Sequence, residues 1–359
     1  MMSSSSNATQ SPNVTQDDLE NVSHYLYMII YPIIFLFGII GNLLSSLLFS
    51  ITNLNRTSCG IYFLLLAIAD STGLIAGLHH CLTIGFDVTV PNAIYCRVRN
   101  FLLYVSMDLA SWMIVAISVD RFLKVKFPIK AGTYTTRKIS LIISCTIIVV
   151  LILENMHLAT IFIGDFSENA ADNCNPNPNY PTYVYFFNKI WPWIDFTTFA
   201  ALPFLIVSIS NGFIIYEQYN RRVKLRNRHL DRTFIILLLT SSMIFILCNL
   251  PITILGIIYP YVSSSYDTND MYDKAAFAYD ILRLPSYGSL ALNFYLYYYT
   301  SNVFRQQAIL LLKRIFRRET PIDDDEIAPI DQSDEYSQTS RSSTRERSFI
   351  LNYYRQENL

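Results

Sequence analysis

The sequence predicts an all-α protein: a seven-transmembrane helix bundle with a short amphipathic eighth helix on the inner leaflet. Seven apolar stretches occur along the chain, each about the length of the roughly 20 residues that a helix needs to cross a bilayer. Hydrophobic residues make up 52% of the 359 positions and charged residues 15%, which is unlike a soluble composition. Because lipid cannot hydrogen-bond to the backbone, we expect these stretches to be helices packed in one bundle.

The apolar stretches define the domain organisation. We place spans one to seven at residues 25–51, 59–85, 92–125, 138–163, 190–219, 233–259 and 275–300. They divide the chain into an extracellular glycosylated tail (1–24), the transmembrane domain (25–301), amphipathic helix 8 (302–316) and a disordered cytoplasmic tail (317–359). Helix 8 is predicted because apolar and basic residues alternate there at helical spacing, as in helices that lie on a membrane surface.

The distribution of charge predicts how the chain is threaded. Acidic residues precede the first span, whereas Lys and Arg collect in the segments that follow spans one, three, five and seven. Basic segments stay in the cytosol, so we expect the amino terminus outside the plasma membrane and the carboxyl terminus inside. Residues 1–24 lack the pattern of a cleavable signal peptide, so the first span is predicted to act as an uncleaved anchor.

The amino-terminal segment carries three glycosylation sequons, at Asn7, Asn13 and Asn21. Their density on the predicted lumenal side favours glycosylation. The alternative is chance, because a tail rich in Ser and Asn produces sequons readily.

Three polar residues lie inside apolar spans at matching depth. Asn42, Asp70 and Asn293 are each about 12 to 17 Å from the cytoplasmic end of their span, at 1.5 Å per residue. Polar groups in a membrane are costly and indicate function. We expect an intramembrane hydrogen-bonded network; the alternative is three unrelated residues that bond to their own neighbours.

The triplet Asp120-Arg121-Phe122 ends the third span, and Asp231 opens the sixth span at the same face. An Arg–carboxylate bond between Arg121 and Asp231 would hold these ends together as a latch, since such bonds are strong when shielded from water. The alternative is that Arg121 only satisfies the bias of cytoplasmic segments toward positive charge.

Two of the six cysteines lie on the predicted oxidising side of the membrane. Cys96 is at the outer end of the third span, and Cys174 is in the loop between spans four and five. We expect a disulfide between them, with two reduced cysteines as the alternative. The other four cysteines are interpreted as free thiols.

These motifs together resemble the rhodopsin-like, or class A, G-protein-coupled receptors, over residues 25 to about 316. The matching motifs are Gly41-Asn42, Leu66-Ala67-Ile68-Ala69-Asp70, Asp120-Arg121-Phe122, Cys248-Asn249-Leu250-Pro251 and Asn293-Phe294-Tyr295-Leu296-Tyr297. The resemblance implies activation-switch roles for Asp120, Arg121, Asp231, Asn249, Pro251, Asn293 and Tyr297. It also implies a heterotrimeric G protein as partner, activated by outward movement of the sixth helix.

Several residues differ from the family pattern and indicate which members of the family the chain resembles. Asn249 replaces a Trp that many members carry, and Phe294 replaces a Pro. Ala110 replaces the Ser that helps to bind sodium beside Asp70, which argues against a sodium ion; we expect no metal and no cofactor. Cys-Asn-Leu-Pro with Asn-Phe-x-x-Tyr resembles invertebrate FMRFamide-type neuropeptide receptors.

Family positions also indicate the class of ligand. Leu103 replaces the Asp of amine receptors, and Tyr287 replaces the Lys of retinal-binding members. The predicted ligand-binding residues are aromatic with a few charges, as a peptide or small polar ligand requires: His80, Tyr104, Met107, Asp108, Asp195, Tyr279, Arg283 and Tyr287. Alternatively, Asp108 and Asp195 are satisfied within the bundle.

Acidic residues in the second and third outer loops would attract a cationic ligand. We therefore expect a short basic neuropeptide, of the kind that ends in Arg-Phe-amide. Solvated loop acids without a ligand role are one alternative, and a small non-peptide chemosensory ligand is another.

Further partners follow from the cytoplasmic side. Serines and threonines of the tail are candidates for phosphorylation and arrestin recruitment: Ser337, Thr339, Ser340, Ser342, Ser343 and Thr344. Membrane lipids are expected partners, and nucleic acid is not. A transporter or intramembrane enzyme is the alternative from another class, but the sequence has neither an inverted repeat nor a metal-ligand cluster.

Overall fold

A computed structural model describes residues 16–51, 57–89, 92–165, 173–224, 230–262 and 269–317. The long helices run over Gln16–Ile51, Ser58–Gly85, Ala93–Lys126, Arg137–Asn155, 181–224, Leu230–Val262 and Asn269–Thr300. We call them the first to the seventh helix. A short helix, Pro128–Tyr134, follows the third, and the helix Asn302–Arg317 follows the seventh, where the amphipathic helix 8 was predicted.

Most of the helices are suited to a membrane. Within the described ranges, six helices are long and apolar enough to cross a bilayer by length and composition, from Asp17–Ile51 to Thr240–Tyr261. The seventh, Asn269–Thr300, is not among them; it is rich in Tyr and carries several charged residues. Neighbouring helices pack in a ring: the first against the second and seventh, the third against the second and fifth, and the sixth against the seventh.

Three helix boundaries differ clearly from the sequence prediction; one is the start of the fifth helix, which was placed at residue 190 but lies at 181. The fourth span was placed at 138–163, but its helix ends at Asn155 and is followed by a 3₁₀ turn, Met156–Ala159, and a strand that begins at Ile163. An apolar run alone does not separate helix from strand. The first helix begins at Gln16, inside the segment predicted as a tail.

Local sequence signals explain several helix starts. The Thr57 side chain accepts a hydrogen bond from the Gly60 amide at 3.1 Å and caps the second helix. Asn92 does the same for the third helix, accepting from the Tyr95 amide at 2.8 Å. Short polar side chains favour these positions because they satisfy amides that lack a partner in the first turn.

A two-stranded hairpin follows the fourth helix. Strand β1 (Ile163–Asp165) pairs antiparallel with strand β2 (Asn173–Pro176). The predicted disulfide is present: Cys174 of β2 is bonded to Cys96, with the Cα atoms 5.1 Å apart, within the usual range for this bond. Ile163 and Cys96 are buried in one apolar cluster with Trp191. The disulfide therefore ties the hairpin to this end of the bundle, which we call the disulfide end.

The fifth helix is irregular in its first half. It contains two π-helical segments, Phe186–Ile190 and Phe196–Ala201. Such insertions often occur at functional sites because they change which side chains face the interior. Here they place the Thr198 carbonyl as acceptor for the Trp112 indole at 3.1 Å.

Gly77 lets the second helix approach the first and seventh. A Cβ atom there would meet the Tyr287 ring at 2.5 Å and the Tyr31 hydroxyl at 2.6 Å. Small residues permit such close packing of membrane helices. The position therefore brings Tyr31, Tyr287 and the second helix together beside the interior of the bundle.

Candidate functional site

A buried arginine lies near the disulfide end of the third helix. Arg99 is 9% exposed, and its guanidinium donates to the Ala76 carbonyl at 3.2 Å and to Asn100 Oδ1 at 2.6 Å. Its Nη2 contacts the His80 ring at 2.8 Å. Asn100 in turn donates to the Cys174 carbonyl at 3.1 Å, so the disulfide-linked hairpin lies directly above Arg99.

The contacts of Arg99 are with neutral groups. In the part of the chain that the structure describes, no carboxylate lies within ion-pair distance of its guanidinium. A buried cation without a counter-ion is unfavourable, in protein interiors and in membranes alike. The site therefore carries positive charge that the described residues leave uncompensated.

A second arginine lies on the seventh helix. Arg283 pairs with Asp280 at 3.0 Å and lies over the Tyr279 ring at 4.8 Å. The Tyr287 hydroxyl shares a hydrogen bond of 2.8 Å with His80 Nδ1. Arg99, His80, Arg283 and Tyr287 form what we call the basic cluster, between the second, third and seventh helices.

An acidic cluster lies on the other side of the third helix. Asp108 is 3% exposed and accepts a hydrogen bond from Asn155 of the fourth helix at 2.9 Å. Glu154 accepts from Thr198 at 2.7 Å, and the half-buried Asp195 lies close enough to interact electrostatically with Asp108. We call Asp108, Glu154 and Asp195 the acidic cluster.

The two clusters face different neighbours. Between Arg99 and Asp108 the helix makes about two and a half turns, so their side chains lie on opposite faces. One face points to the second helix and the other to the fourth. Three of the predicted ligand residues, His80, Arg283 and Tyr287, thus come together, whereas Asp108 and Asp195 belong to a separate group.

The remaining predicted ligand residues are aromatic or apolar. The Tyr104 ring contacts Trp191 edge-on, with centroids 5.9 Å apart, and the Tyr279 ring packs against Tyr259 at 5.8 Å. Met107 lines a small cavity deeper in the bundle. These side chains supply the apolar walls that a ligand site needs beside its few polar groups.

Two of the three residues of the predicted intramembrane network are hydrogen-bonded to each other. Asn293 donates to Asp70 Oδ2 at 2.7 Å. Asn42 instead donates to the Leu290 carbonyl at 3.1 Å, so it reaches the same helix as Asn293 without bonding to either predicted partner. Among the described residues none donates to Asp70 Oδ1, which is buried.

The small cavity lies next to this network. Its lining residues are Asp70, Met107, Ala110, Ile114, Phe199, Ser241, Ile244, Phe245, Asn249, Ser289, Leu290 and Asn293. Ala110, the replacement for the expected Ser, supplies a methyl group there. The predicted switch residues Asn249 and Asn293 therefore border one space, whereas Tyr297 lies toward the opposite end, buried against Phe63 and Phe304. Pro251 lies within the sixth helix.

Asp120, at the end of the bundle opposite the disulfide, has two partners that were not predicted from the sequence. The Cys59 thiol donates to its Oδ2 at 2.8 Å, and the Lys124 ammonium lies 2.9 Å from the same oxygen. Lys124 also donates to Ser58 at 2.8 Å. The predicted Arg121–Asp231 latch cannot be compared, because the Asp231 side chain lies outside the described residues.

Other predicted site residues lie beyond the described ranges. These are Asn7, Asn13 and the six serines and threonines from Ser337 to Thr344. Asn21 lies within the first helix, where it is exposed, whereas Ser23 of the same sequon is 5% exposed.

Three residues of the candidate sites were not predicted from the sequence: Arg99, Cys59 and Lys124. For Arg99 a signal existed, because an Arg inside a predicted span is costly and indicates a site. Lys124 was counted only as a cytoplasmic charge, although its spacing of one turn from Asp120 favours an ion pair. The Cys59 contact joins two helices, so nothing in the local sequence predicts it.

Comparison with known proteins places the chain among receptors. Residues 41–297 match the model of the family described as 7 transmembrane receptor (rhodopsin family). Lysophosphatidic acid receptor 4 from Homo sapiens is 23% identical over 343 residues, 94% of this chain and 91% of that protein. Cysteinyl leukotriene receptor 2 from Sus scrofa is 27% identical over 84% of this chain and 85% of its own length.

A receptor named for another ligand is also similar. Galanin receptor 2b from Danio rerio is 22% identical over 82% of this chain and 76% of that protein. These relatives are receptors and not enzymes, as the sequence analysis expected for this chain. They differ in the ligands that their names state, so they do not identify one ligand for this chain.

Proposed function

Since the chain belongs to the rhodopsin family of seven-transmembrane receptors, we propose that its extracellular ligand carries an anionic group, which binds at the basic cluster. As a member of that family it has an extracellular ligand and a G protein as partners. In this proposal it acts at the plasma membrane, with the disulfide end outside and the basic segments in the cytosol.

The uncompensated charge of Arg99 carries the proposal. A phosphate or carboxylate can accept two parallel hydrogen bonds from a guanidinium, which is among the strongest pairings available to a protein. Arg283 and His80 lie beside Arg99 and would add donors to the same anion. The names of two relatives support this chemistry, because lysophosphatidic acid and cysteinyl leukotrienes are both anionic lipids.

A nucleotide-exchange assay tests the ligand class. Cells or membranes that contain the receptor and a set of G proteins would be exposed to anionic lipids, to their neutral analogues and to basic peptides. We expect activation by an anionic member of the panel and a large loss of potency in Arg99→Gln. Arg97→Gln is the matched control, since Arg97 lies on the same helix but donates to the Ile163 carbonyl at 3.0 Å. Activation by cationic ligands alone would overturn the proposal.

A short basic neuropeptide is the second candidate. Asp195 is half-buried on the fifth helix, and its carboxyl group lies near Asp108, where a cationic side chain could approach it. Similarity to a galanin receptor supports a peptide in general terms. Peptides that end in Arg-Phe-amide can be compared with the same peptides that end in a free carboxylate. A preference for the free carboxylate favours binding at the basic cluster. A preference for the amide favours a basic peptide ligand, as the resemblance to FMRFamide-type receptors implies.

The proposed output is G-protein activation through outward movement of the sixth helix. Ile129, on the short helix Pro128–Tyr134 after the Asp-Arg-Phe triplet, is 88% exposed. An apolar side chain so exposed between Lys126 and Lys130 suits a partner protein that covers it. Ile129→Ala is expected to lower agonist-stimulated exchange without lowering ligand affinity in the absence of G protein.

Two further parts of the proposal concern the tail and the alternatives. Phosphorylation of the tail would recruit arrestin. A recruitment assay that compares the natural receptor with a variant in which the serines and threonines of Ser337–Thr344 are changed to Ala would test this.

A small chemosensory ligand without charge would remain active on Arg99→Gln, so the same variant distinguishes it from an anionic ligand.

A further inference from the structure

Asn249 joins the sixth helix to the seventh through its side-chain amide. Its Oδ1 accepts a hydrogen bond from the Ser286 hydroxyl at 2.6 Å. Its Nδ2 donates to Ser289 Oγ at 3.2 Å and to the Phe245 carbonyl of its own helix at 2.9 Å. The Ser289 hydroxyl donates to the Ser286 carbonyl at 2.7 Å, so both serines take part in one closed set of bonds.

These groups are shielded from solvent. Asn249 and Ser286 are each 1% exposed, and Ser289 is 7% exposed. Both hydrogens of the amide are used, and its oxygen has a partner. In a dry interior a polar group that loses its partner is costly, so separation of the two helices at this level requires replacement of all the bonds between them.

The bonds lie at a natural hinge of the sixth helix. Pro251 follows Asn249 by two positions and has no N–H to donate to the preceding turn, which weakens the helix there. Asn249 and Ser289 also line the small cavity that contains Asp70 and Asn293. The amide is therefore placed between the hinge and the polar network of the seventh helix.

We propose that Ser286 and Ser289 are positioning residues that hold Asn249, and with it the hinge of the sixth helix, against the seventh helix in the resting receptor. Activation then requires the amide to leave both hydroxyls as the sixth helix moves outward. This inference rests on the proposed movement of the sixth helix. In this proposal two serines hold the sixth helix in place by hydrogen bonds, whereas a bulky side chain at the Asn249 position would hold it by packing alone.

Variants that remove single bonds test the clamp. Ser286→Ala and Ser289→Ala each delete one bond to Asn249, and Asn249→Leu deletes both with a side chain of similar size. Thr253→Val is the matched control. Thr253 is a buried residue one turn further along, and among the described residues its hydroxyl donates only to carbonyls of its own helix, those of Asn249 and Leu250, at 3.1 and 3.0 Å.

Basal nucleotide exchange, normalised to receptor at the cell surface, is expected to rise about three-fold in Ser286→Ala, the typical effect of one hydrogen bond between membrane helices. Asn249→Leu should raise it further, and Ser286→Ala added to Asn249→Leu should add nothing, because both remove the same bond. Effects that simply add, or an equal rise in Thr253→Val, would overturn the clamp.

A measurement without G protein separates the clamp from the proposed output. Hydrogen–deuterium exchange on purified full-length receptor in nanodiscs reports opening of the sixth helix directly. Faster exchange around Phe245–Thr253 in Ser286→Ala, with no change in nucleotide exchange, would support the clamp and count against signalling by this movement. Unchanged hydrogen exchange in Ser286→Ala, Ser289→Ala and Asn249→Leu would overturn the clamp, whatever the G-protein assay shows.

Discussion

The basic and acidic clusters on the two faces of the third helix both contain buried ionisable groups, but those groups differ in whether they can become neutral. A carboxyl group such as that of Asp108 can take up a proton and become neutral, and it already has Asn155 as a donor. A guanidinium keeps its charge in proteins. Arg99 therefore needs an anion more than Asp108 needs a cation, although each has hydrogen-bond partners.

This difference changes which cluster is expected to bind the ligand. Electrostatic attraction of the outer acidic loops for cations led to the expectation of a basic peptide. In the structure Asp108 points to the fourth helix, whereas Arg99, His80 and Tyr287 meet where the second, third and seventh helices converge. Charge in the interior is thus better evidence than charge on the loops, because water and salt screen exposed groups.

The largest expected effect is at Arg99. Loss of one member of a buried hydrogen-bonded charge pair costs about 2 to 5 kcal/mol, so Arg99→Gln should lower agonist potency by about 30-fold or more. Arg99→Lys keeps the charge but loses the two parallel hydrogen bonds of a guanidinium. Its agonist potency should lie between those of the natural receptor and of Arg99→Gln. Dose–response curves at equal surface expression measure both. Equal potency of all three receptors would remove the basic cluster from the ligand site.

The next effect concerns the stability of the acidic cluster. Asp108→Leu leaves the Asn155 amide with an unmade hydrogen bond, which costs about 1 to 3 kcal/mol. Asp108→Asn can still accept from Asn155 and should cost less. Thermal unfolding of purified receptor measures the difference, and agonist potency should be the same for both variants. A potency loss in Asp108→Asn would instead place Asp108 in the ligand site.

A smaller effect is expected within the basic cluster. Tyr287→Phe removes the hydroxyl that bonds to His80 but keeps the ring. One neutral hydrogen bond contributes about 0.5 to 1.5 kcal/mol, so potency should fall about three- to ten-fold. Tyr279→Phe, which keeps its ring over Arg283, is the control. A larger loss at Tyr279 than at Tyr287 would place the ligand nearer to Tyr279 than to the Tyr287–His80 bond.

The smallest expected effect comes from a third charged region, at Asp120, where a carboxylate and an ammonium group form an ion pair. Lys124 pairs with the buried Asp120, whereas Lys126 lies over the Phe122 and Phe213 rings at 5.3 and 5.1 Å. Lys124→Met should raise basal nucleotide exchange by about two- to three-fold, as one partly exposed ion pair allows, and Lys126→Met should not. The reverse ranking would show that Asp120 is held by other groups.

Hydropathy and charge alone predicted the seven helices and the side of the bundle at which Cys96 and Cys174 meet. The rotation of each helix about its axis was harder to predict from the sequence. In a soluble protein polar residues mark the outer face of a helix, but lipid-facing and core-facing positions here are both apolar. Which neighbouring helix Arg99 and Asp108 each face, and the contact of Cys59 with Asp120, therefore required the structure.

End points that depend on distant packing were also missed. The fourth helix stops at Asn155, where the side chain bonds to Asp108, and the apolar run beyond it turns into the hairpin under the disulfide. Asn42 shows the same limit, since its depth was predicted but its partner, the Leu290 carbonyl, was not.

The most direct test compares an activating ligand with its charge-capped form, the methyl ester of its carboxylate or the dimethyl ester of its phosphate, on the natural receptor and on Arg99→Gln. The account predicts that capping lowers potency by about 100-fold on the natural receptor and has little effect on the variant, because both changes remove the same ion pair. An equal loss from capping on both receptors would contradict it.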